Sequence, residues 1–268
     1  MIKNYLVTGD THGRVIERLQ QIDKKYIPEE TALIILGDAG INFYLNKTDA
    51  KNKKNINATG YLIYCVRGNH EERPENIPTM EQFYDTNIDG TIYYEPKYPN
   101  IRYLMDGHVY LINSHPTLVI GGAYSVDKWY RLSNFSQEAK WTGWFKDEQL
   151  TTEEMAEITE KFKGKHFDFI LTHTCPYSWQ PFDLFLQGID QSTVDNTMEY
   201  WLDDFRKQIT WNAWLFAHFH DDRAVRPGVE MYYNDIVSLD TIYNIWTNGE
   251  ELPWYYTKDP NYDKEDDN

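Results

Sequence analysis

Asp10 and His12, Asp38, Asn69 with His70, His173, and His218 with His220 make an ordered series of carboxylate, amide and imidazole donors. Dications such as Mn²⁺, Fe and Zn²⁺ accept such mixed ligation, whereas structural zinc calls for thiolates. No cysteine pair accompanies the series, because Cys65 and Cys175 stand far apart, so the donor types favour a catalytic metal site. Two dications carry more positive charge than Asp10 and Asp38 neutralise. The excess would hold a hydroxide and an anionic phosphoryl group together, since paired metals ~3.5–4 Å apart lower the pKa of a bound water to around 7 and clamp phosphate oxygens.

Each donor group follows an apolar run of strand length, at 5–7, 33–36, 62–66, 169–171 and 214–217. Continuous runs of this kind read as strands buried on both faces. In open α/β sheets ligands gather beyond the carboxyl ends of strands, so these ends are expected to converge on one place. The chain alternates strand 4–10, helix about 14–26, strand 32–38, a polar helix or loop 43–58 and strand 60–67, the rhythm of a largely parallel sheet. Short extended runs at 91–94, 101–104, 109–112 and 117–120, separated by Pro, Asn and Gly, predict antiparallel strands of a second sheet. Residues 151–163 open with a capping-box pattern and carry Met155, Ile158 and Phe162 at helical spacing, which predicts a helix. A strand at 167–172, mixed loop and helix to about 208, a strand at 213–217 and terminal strands near 229–246 complete the expected body.

A chain of 268 residues buries a sizeable core without staples, and it reads as one domain over 1–258 followed by an acidic, mobile tail, 259–268. The formal net charge of −16 argues against capture of double-stranded nucleic acid, which relies on Lys and Arg to neutralise phosphates. A nucleotide in a cleft stays compatible, because bound metals are the largest local charges in their site. No apolar stretch is long enough to cross a bilayer, and the first strand begins too early to leave room for a signal peptide. With no disulfide framework, the expectation is a cytoplasmic protein without a membrane partner, and nothing in the sequence sets an oligomeric state. Cys175 reads as a small packed thiol, and His108, His115 and His166 as structural. Residues 124–145 and 177–185 are aromatic-rich, with Trp129, Trp141, Trp144, Phe145, Trp179 and Phe185 among them; they either roof the site or pack the core.

In order and spacing, Gly9-Asp10-Thr11-His12-Gly13, Gly37-Asp38, Gly68-Asn69-His70-Glu71, Thr172-His173 and Ala217-His218-Phe219-His220 resemble the motifs of the calcineurin-like metallophosphoesterase superfamily. The resemblance runs from about residue 4 to 240 and implies an α/β fold, a four-layer α/β/β/α sandwich of two mixed sheets with a dimetal site at the carboxyl ends of strands. It further implies that Asp10, His12 and His220 hold one metal, that Asn69, His173 and His218 hold the other, and that Asp38 bridges them. His70 would be the catalytic residue, facing the leaving-group oxygen. Two divalent ions are implied, Mn²⁺ first, with Fe or Zn²⁺ compatible.

The first and third motifs are similar to those of the serine/threonine protein phosphatase branch, whose middle motif usually continues as Gly-Asp-x-Val-Asp-Arg-Gly. Here Ile41 replaces the acid expected to orient the catalytic His, and Asn42 replaces a phosphate-binding Arg. The stretch from Gly121 to Arg131 resembles a segment of bacterial and phage-type members, and Arg131, or Lys128, is a candidate for the missing phosphate contact beside Asn42. The resulting expectation is a metal-dependent phosphoesterase, phosphatase or phosphodiesterase, acting on a small phosphorylated or nucleotide substrate. A serine/threonine phosphoprotein phosphatase is the enzymatic alternative, and a non-catalytic partner-binding scaffold of the same fold is the alternative from another class.

Overall fold

The computed structural model describes residues 2–133, 143–185, 191–253, 257–260 and 262. Its first sheet is built around β1 (Asn4–Thr8), β2 (Thr31–Ile35) and β3 (Leu62–Cys65), which run parallel. Along them, Leu6, Leu33, Ile63 and Ile101 share one register row and one face, while Val7, Ile34 and Tyr64 share the next row and the opposite face. All are buried, which is why these runs read as continuously apolar rather than alternating. The crossovers carry α1 (Val15–Leu19) and α2 (Lys47–Asn57), and Val15, Leu19 and Ile56 cover the Leu6–Ile101 face. The helix expected over 14–26 stops at Leu19. Arg14 offers it no side-chain cap and Pro28 follows soon after, so little beyond the buried face supports a longer helix.

The first sheet continues through β4 (Glu81–Asp85), β5 (Gly90–Tyr94) and β6 (Ile101–Tyr103), in the order β13-β1-β2-β3-β6-β5-β4 among the described residues, with β13 at Val237–Ser238. This corrects the expectation that 91–94 and 101–104 belong to the second sheet: β6 lies parallel to β3, and β5 pairs antiparallel with β6. The second sheet holds β7 (His108–Ile112), β8 (His115–Ile120), β9 (His166–Thr172), β10 (Thr210–Phe216), β11 (Arg223–Arg226) and β12 (Val229–Met231). In it β8, β9 and β10 are parallel, with Val119, Leu171 and Leu215 facing the first sheet and Leu118, Ile170 and Trp214 facing outward.

The short α3 (Lys128–Ser133) follows β8, and two later helices cover that outer face. α4 (Thr152–Phe162) starts on the expected capping box, with Thr151 and Glu154 exchanging side-chain and backbone hydrogen bonds. It presents Met155, Ile158 and Phe162, and α5 (Thr197–Arg206) presents Met198, Leu202 and Phe205. The layers are therefore helix, sheet, sheet, helix. Of the strands expected near 229–246, residues 229–231 and 237–238 are extended, but α6 (Leu239–Asn248) follows, packing Leu239, Ile242 and Ile245 at helical spacing. Each such buried aliphatic side chain contributes roughly 1.5–3 kcal/mol.

The tail expected from 259 is held at its start. Asp259 is buried against Arg223, which also pairs with Asp183 and Asp221, and Tyr262 is buried. Residues 263–268 lie outside the described residues. Among the described residues no helix is long and apolar enough to cross a membrane.

Candidate metal centre

The carboxyl ends of β1, β2, β3, β9 and β10 deliver the donor series to one place. Three glycines make the approach possible. A Cβ on Gly9 would collide with the Tyr232 carbonyl, one on Gly37 with the His173 ring, and one on Gly68 with the Asp38 carboxylate. The turns are then stitched together: His12 N donates to Asp38 O at 2.9 Å, His70 N to Asp38 Oδ1 at 2.8 Å, His218 N to Asp10 Oδ1 at 3.1 Å, and Ala217 N to His173 O at 3.0 Å. His12, Asp38, His218 and His220 all adopt left-handed backbone, with φ of 44°, 46°, 71° and 58°. Such conformations are strained for residues with a Cβ and gather at functional sites.

Two donor clusters result. In the first, His220 Nε2 lies 3.1 Å from Asp10 Oδ2 and 2.9 Å from His12 Nε2, and His12 Nε2 lies 3.6 Å from Asp10 Oδ2. In the second, Asp10, Asp38 and His173 bring one donor atom each within 4.8 Å of one another, and His173 Nε2 stands 3.8 Å from Asp38 Oδ1 and 2.8 Å from Asn69 Oδ1. The His218 ring packs edge-on to His173, with centroids 5.0 Å apart. The His12 and His220 side chains are 37% and 48% exposed and His173 is wholly buried, so the centre opens to solvent on the His12–His220 side.

Lone pairs at the buried end need a cation. His173 Nδ1 donates to the Leu36 carbonyl at 2.8 Å, and burial holds the ring's pKa below its usual value, so Nε2 carries a lone pair. Asn69 Nδ2 donates to Ser125 Oγ at 2.9 Å, which leaves Oδ1 as the atom facing that nitrogen. Two acceptors thus meet at hydrogen-bond distance with no proton between them. Beside them the buried Asp10 and Asp38 strain against each other. Burial raises both carboxyls; at Asp10 the His220 hydrogen bond and the neighbouring imidazoles prevail and hold it at about 2, while burial and the Asp10 charge push Asp38 well up. A divalent ion relieves both the facing lone pairs and the paired carboxylates, so these residues fit the metals the motifs imply.

His70 stands at the rim, its ring 6.1 Å from His12 and 6.4 Å from Phe43. Burial, then the Arg131 charge, lower its pKa to about 4. Its Nδ1 is buried without a hydrogen-bond partner. Arg131 Nε pairs with Asp127 Oδ2 at 2.7 Å, and the guanidinium stands over the Phe43 ring at 5.7 Å. Asn42 is placed differently from the expectation. Its side chain is fully buried and neighbours Tyr103, on the side of the first sheet that faces the helices, so it does not reach substrate.

His108, His115 and His166 bond elsewhere, to the Asp106 carbonyl, Asp168 and Thr210. Cys175 is a buried thiol in the core beneath α4 and α5, where Trp179 also packs. Phe43 and Phe145 line the His70 side, whereas Trp141 lies outside the described residues. Sequence reading gave no role to Glu71, whose buried Oε1 accepts the amides of Ala39 and Gly68 at 3.0 and 3.3 Å, nor to Tyr233, which stacks on His220.

Comparison with known families matches residues 3–222 to the family described as calcineurin-like phosphoesterase. No curated protein matches the chain.

Proposed function

Because the chain belongs to the calcineurin-like phosphoesterase family, we propose that it hydrolyses phosphoric esters at two divalent metals. Asp10, His12 and His220 would hold one, Asn69, His173 and His218 the other, and Asp38 would serve both. The observation that carries this reading is the meeting of His173 Nε2 and Asn69 Oδ1 at 2.8 Å beside the buried Asp10–Asp38 pair. When bound, the metals supply a water acidified toward neutral pH and a positive clamp for phosphoryl oxygens. Oxygen and imidazole donors without thiolate support Mn²⁺, with Fe and Zn²⁺ sharing the same preferences.

The chain's own residues orient the ester. Arg131 acts electrostatically on His70, His12 and Asp38 alike, a position from which it contacts a phosphoryl oxygen. With its pKa near 4, His70 is neutral at pH 7 and donates an N–H to the leaving-group oxygen rather than delivering a stored imidazolium proton. Asp127, whose Oδ1 is also buried without a hydrogen-bond partner and whose charge acts on His70, stands in for the acid missing at Ile41. Phe43 and Phe145 beside His70, and the net charge of −16, support a small phosphorylated or nucleotide substrate over a nucleic-acid duplex. Two buried free cysteines are compatible with a cytoplasmic setting.

The test is hydrolysis of the mono- and bis-p-nitrophenyl esters of phosphate by metal-stripped protein resupplied with Mn²⁺, beside Asn69→Ala and His70→Ala. Turnover that returns with metal and collapses in Asn69→Ala is expected, with a smaller fall in His70→Ala because nitrophenolate leaves readily, and the preferred ester separates phosphatase from phosphodiesterase. Protein that takes up Mn²⁺ yet turns over neither ester would sink the proposal.

A further inference from the structure

A cavity of about 400 Å³ contains none of the metal donors, yet its walls are the chain neighbours of the residues at the rim of the centre. Glu72 stands two residues after His70, Leu45 two residues after Phe43, and Leu132 directly after Arg131. Phe145 completes the connection, since its ring stands 6.4 Å from that of Phe43, itself 6.4 Å from His70. An opening assembled from these neighbours adjoins the His70 end of the centre, the end assigned above to the leaving-group oxygen.

Leu45, Leu132, Trp144 and Phe145 make the apolar part of the lining, and that part is held in place. The buried Asp49 accepts the Tyr44 and Leu45 amides at 2.8 and 2.7 Å, keeping Leu45 in left-handed backbone with φ of 51° although the residue is 49% exposed. Arg131 Nη1 donates to the Gly143 carbonyl at 2.8 Å, and the Lys128 ammonium stands 4.5 Å over the Trp144 ring. Pinning an exposed leucine in a strained conformation adds little to a core, whereas such conformations are kept where a ligand is held.

The polar part of the lining is acidic. Asn76 Nδ2 donates to Glu72 Oε1 at 2.7 Å and to Asp147 Oδ2 at 2.8 Å, so each carboxylate keeps its other oxygen as an acceptor. Lys146 supplies a cation against them. The occupant that fits is an uncharged ring system with hydroxyl or N–H donors. A serine side chain would leave the apolar part uncovered, and an acyl chain would leave the carboxylates without donors; a nucleoside meets both. The volume lies in the range that takes drug-sized ligands, ~300–1,000 Å³.

We infer that this cavity receives the leaving group of the substrate and that the leaving group is a nucleoside. This rests on the phosphoesterase reading above and adds which side of phosphorus carries the ring system. Hydrolysis then puts the hydroxyl of water on phosphorus, while the ester oxygen departs with the nucleoside and takes the water's other proton.

The experiment is calorimetric titration of the full chain with adenosine, with and without Mn²⁺, followed by adenosine inhibition of nitrophenyl-ester turnover. Wild type is compared with Leu132→Trp, which fills the cavity, and Leu45→Arg, which brings a charge onto its apolar lining, each checked for folding by circular dichroism. N-acetyltyrosine amide and N-acetylserine amide, the alcohols a phosphoprotein phosphatase would release, are titrated alongside. One adenosine per chain is expected, bound at least about 10-fold more tightly than either amide and at least about 10-fold more weakly by each variant, with inhibition competitive against the ester. Absence of adenosine binding, binding that either variant leaves unchanged, or an amide that binds as tightly overturns the proposal, as does inhibition that is not competitive. Cavity-dependent adenosine binding by Mn²⁺-loaded protein that turns over no ester overturns the phosphoesterase reading instead, and with it the leaving-group assignment. Should Leu132→Trp not fold, Leu45→Arg, at an exposed position, decides.

Discussion

Oε1 of Glu71 accepts the backbone amide of Ala39 at 3.0 Å, a second clip, beside the His70 amide on Asp38, between the turn bearing Asp38 and the turn bearing Asn69. The same oxygen takes the Gly68 amide. Glu71→Leu leaves two buried amides without an acceptor, at ~1–3 kcal/mol each, so a loss of about 2–6 kcal/mol is expected in urea unfolding. Glu71→Gln keeps an oxygen in place and should cost about 1 kcal/mol. Equal losses in the two variants would show that the clip is not what matters.

Gly37 has φ of +102° and no room for a Cβ, because the His173 ring occupies that space. Gly37→Ala must displace a metal ligand or strain the turn. A destabilisation of at least about 2 kcal/mol is expected, together with weaker Mn²⁺ uptake, and calorimetry paired with dialysis reads both.

Glu199 is buried, accepts the Thr174 hydroxyl at 2.9 Å, and has its pKa raised by burial from 4.5 to about 7. The folded state then holds the proton more tightly than the unfolded state between these two values. The stability Glu199 contributes is full below pH 4.5 and is lost as pH rises through about 7, a swing bounded by about 3 kcal/mol. Glu199→Gln should flatten the fall of melting temperature between pH 5 and 8 and be the more stable protein at pH 8. An unchanged slope would remove Glu199 as its source.

Asp38→Asn should have opposite effects on stability and on activity. In metal-free protein at pH 8 it removes the buried charge pressed against Asp10 while keeping an oxygen for the His70 amide. A gain of about 1 kcal/mol, or ~2–4 °C in melting temperature, is expected. With Mn²⁺ added, wild type should gain the more, by about 2.7 kcal/mol at a hundredfold excess over Kd, and the variant should lose turnover. A variant less stable than wild type without metal would contradict the account of the paired carboxylates.

His70→Ala should slow turnover by about 10²–10³-fold on an alkyl ester, whose leaving oxygen gathers the more negative charge and leans on the His70 N–H hydrogen bond, and by much less on a nitrophenyl ester, whose leaving group departs as a stable anion. A uniform loss across both esters would assign His70 to phosphate binding instead.

The donor series was legible because each ligand is a polar residue stranded at the end of an apolar run. Asp10, Asp38 and His173 have no other reason to follow Val7, Leu36 and Leu171. Strand partnership was not legible. Ile101 sits beside Ile63 rather than in the second sheet, and nothing in a three-residue strand encodes its neighbour. α6 was misread because Thr241, Ile242 and Tyr243 have strand preferences, which the burial of Leu239, Ile242 and Ile245 along one helical face overrides. Ser125 was invisible as a partner of Asn69, since their contact exists only where the turn after β8 meets the turn after β3.

His12, Asp38, His218 and His220 hold backbone angles that glycine adopts freely and that cost other residues about 1 kcal/mol or more apiece. Selection for heat resistance alone would therefore reward glycine at these four positions. A hardened descendant obtained that way would have stripped itself of donors to both clusters, so a stabilisation campaign on this chain must screen for retained metal along with melting temperature.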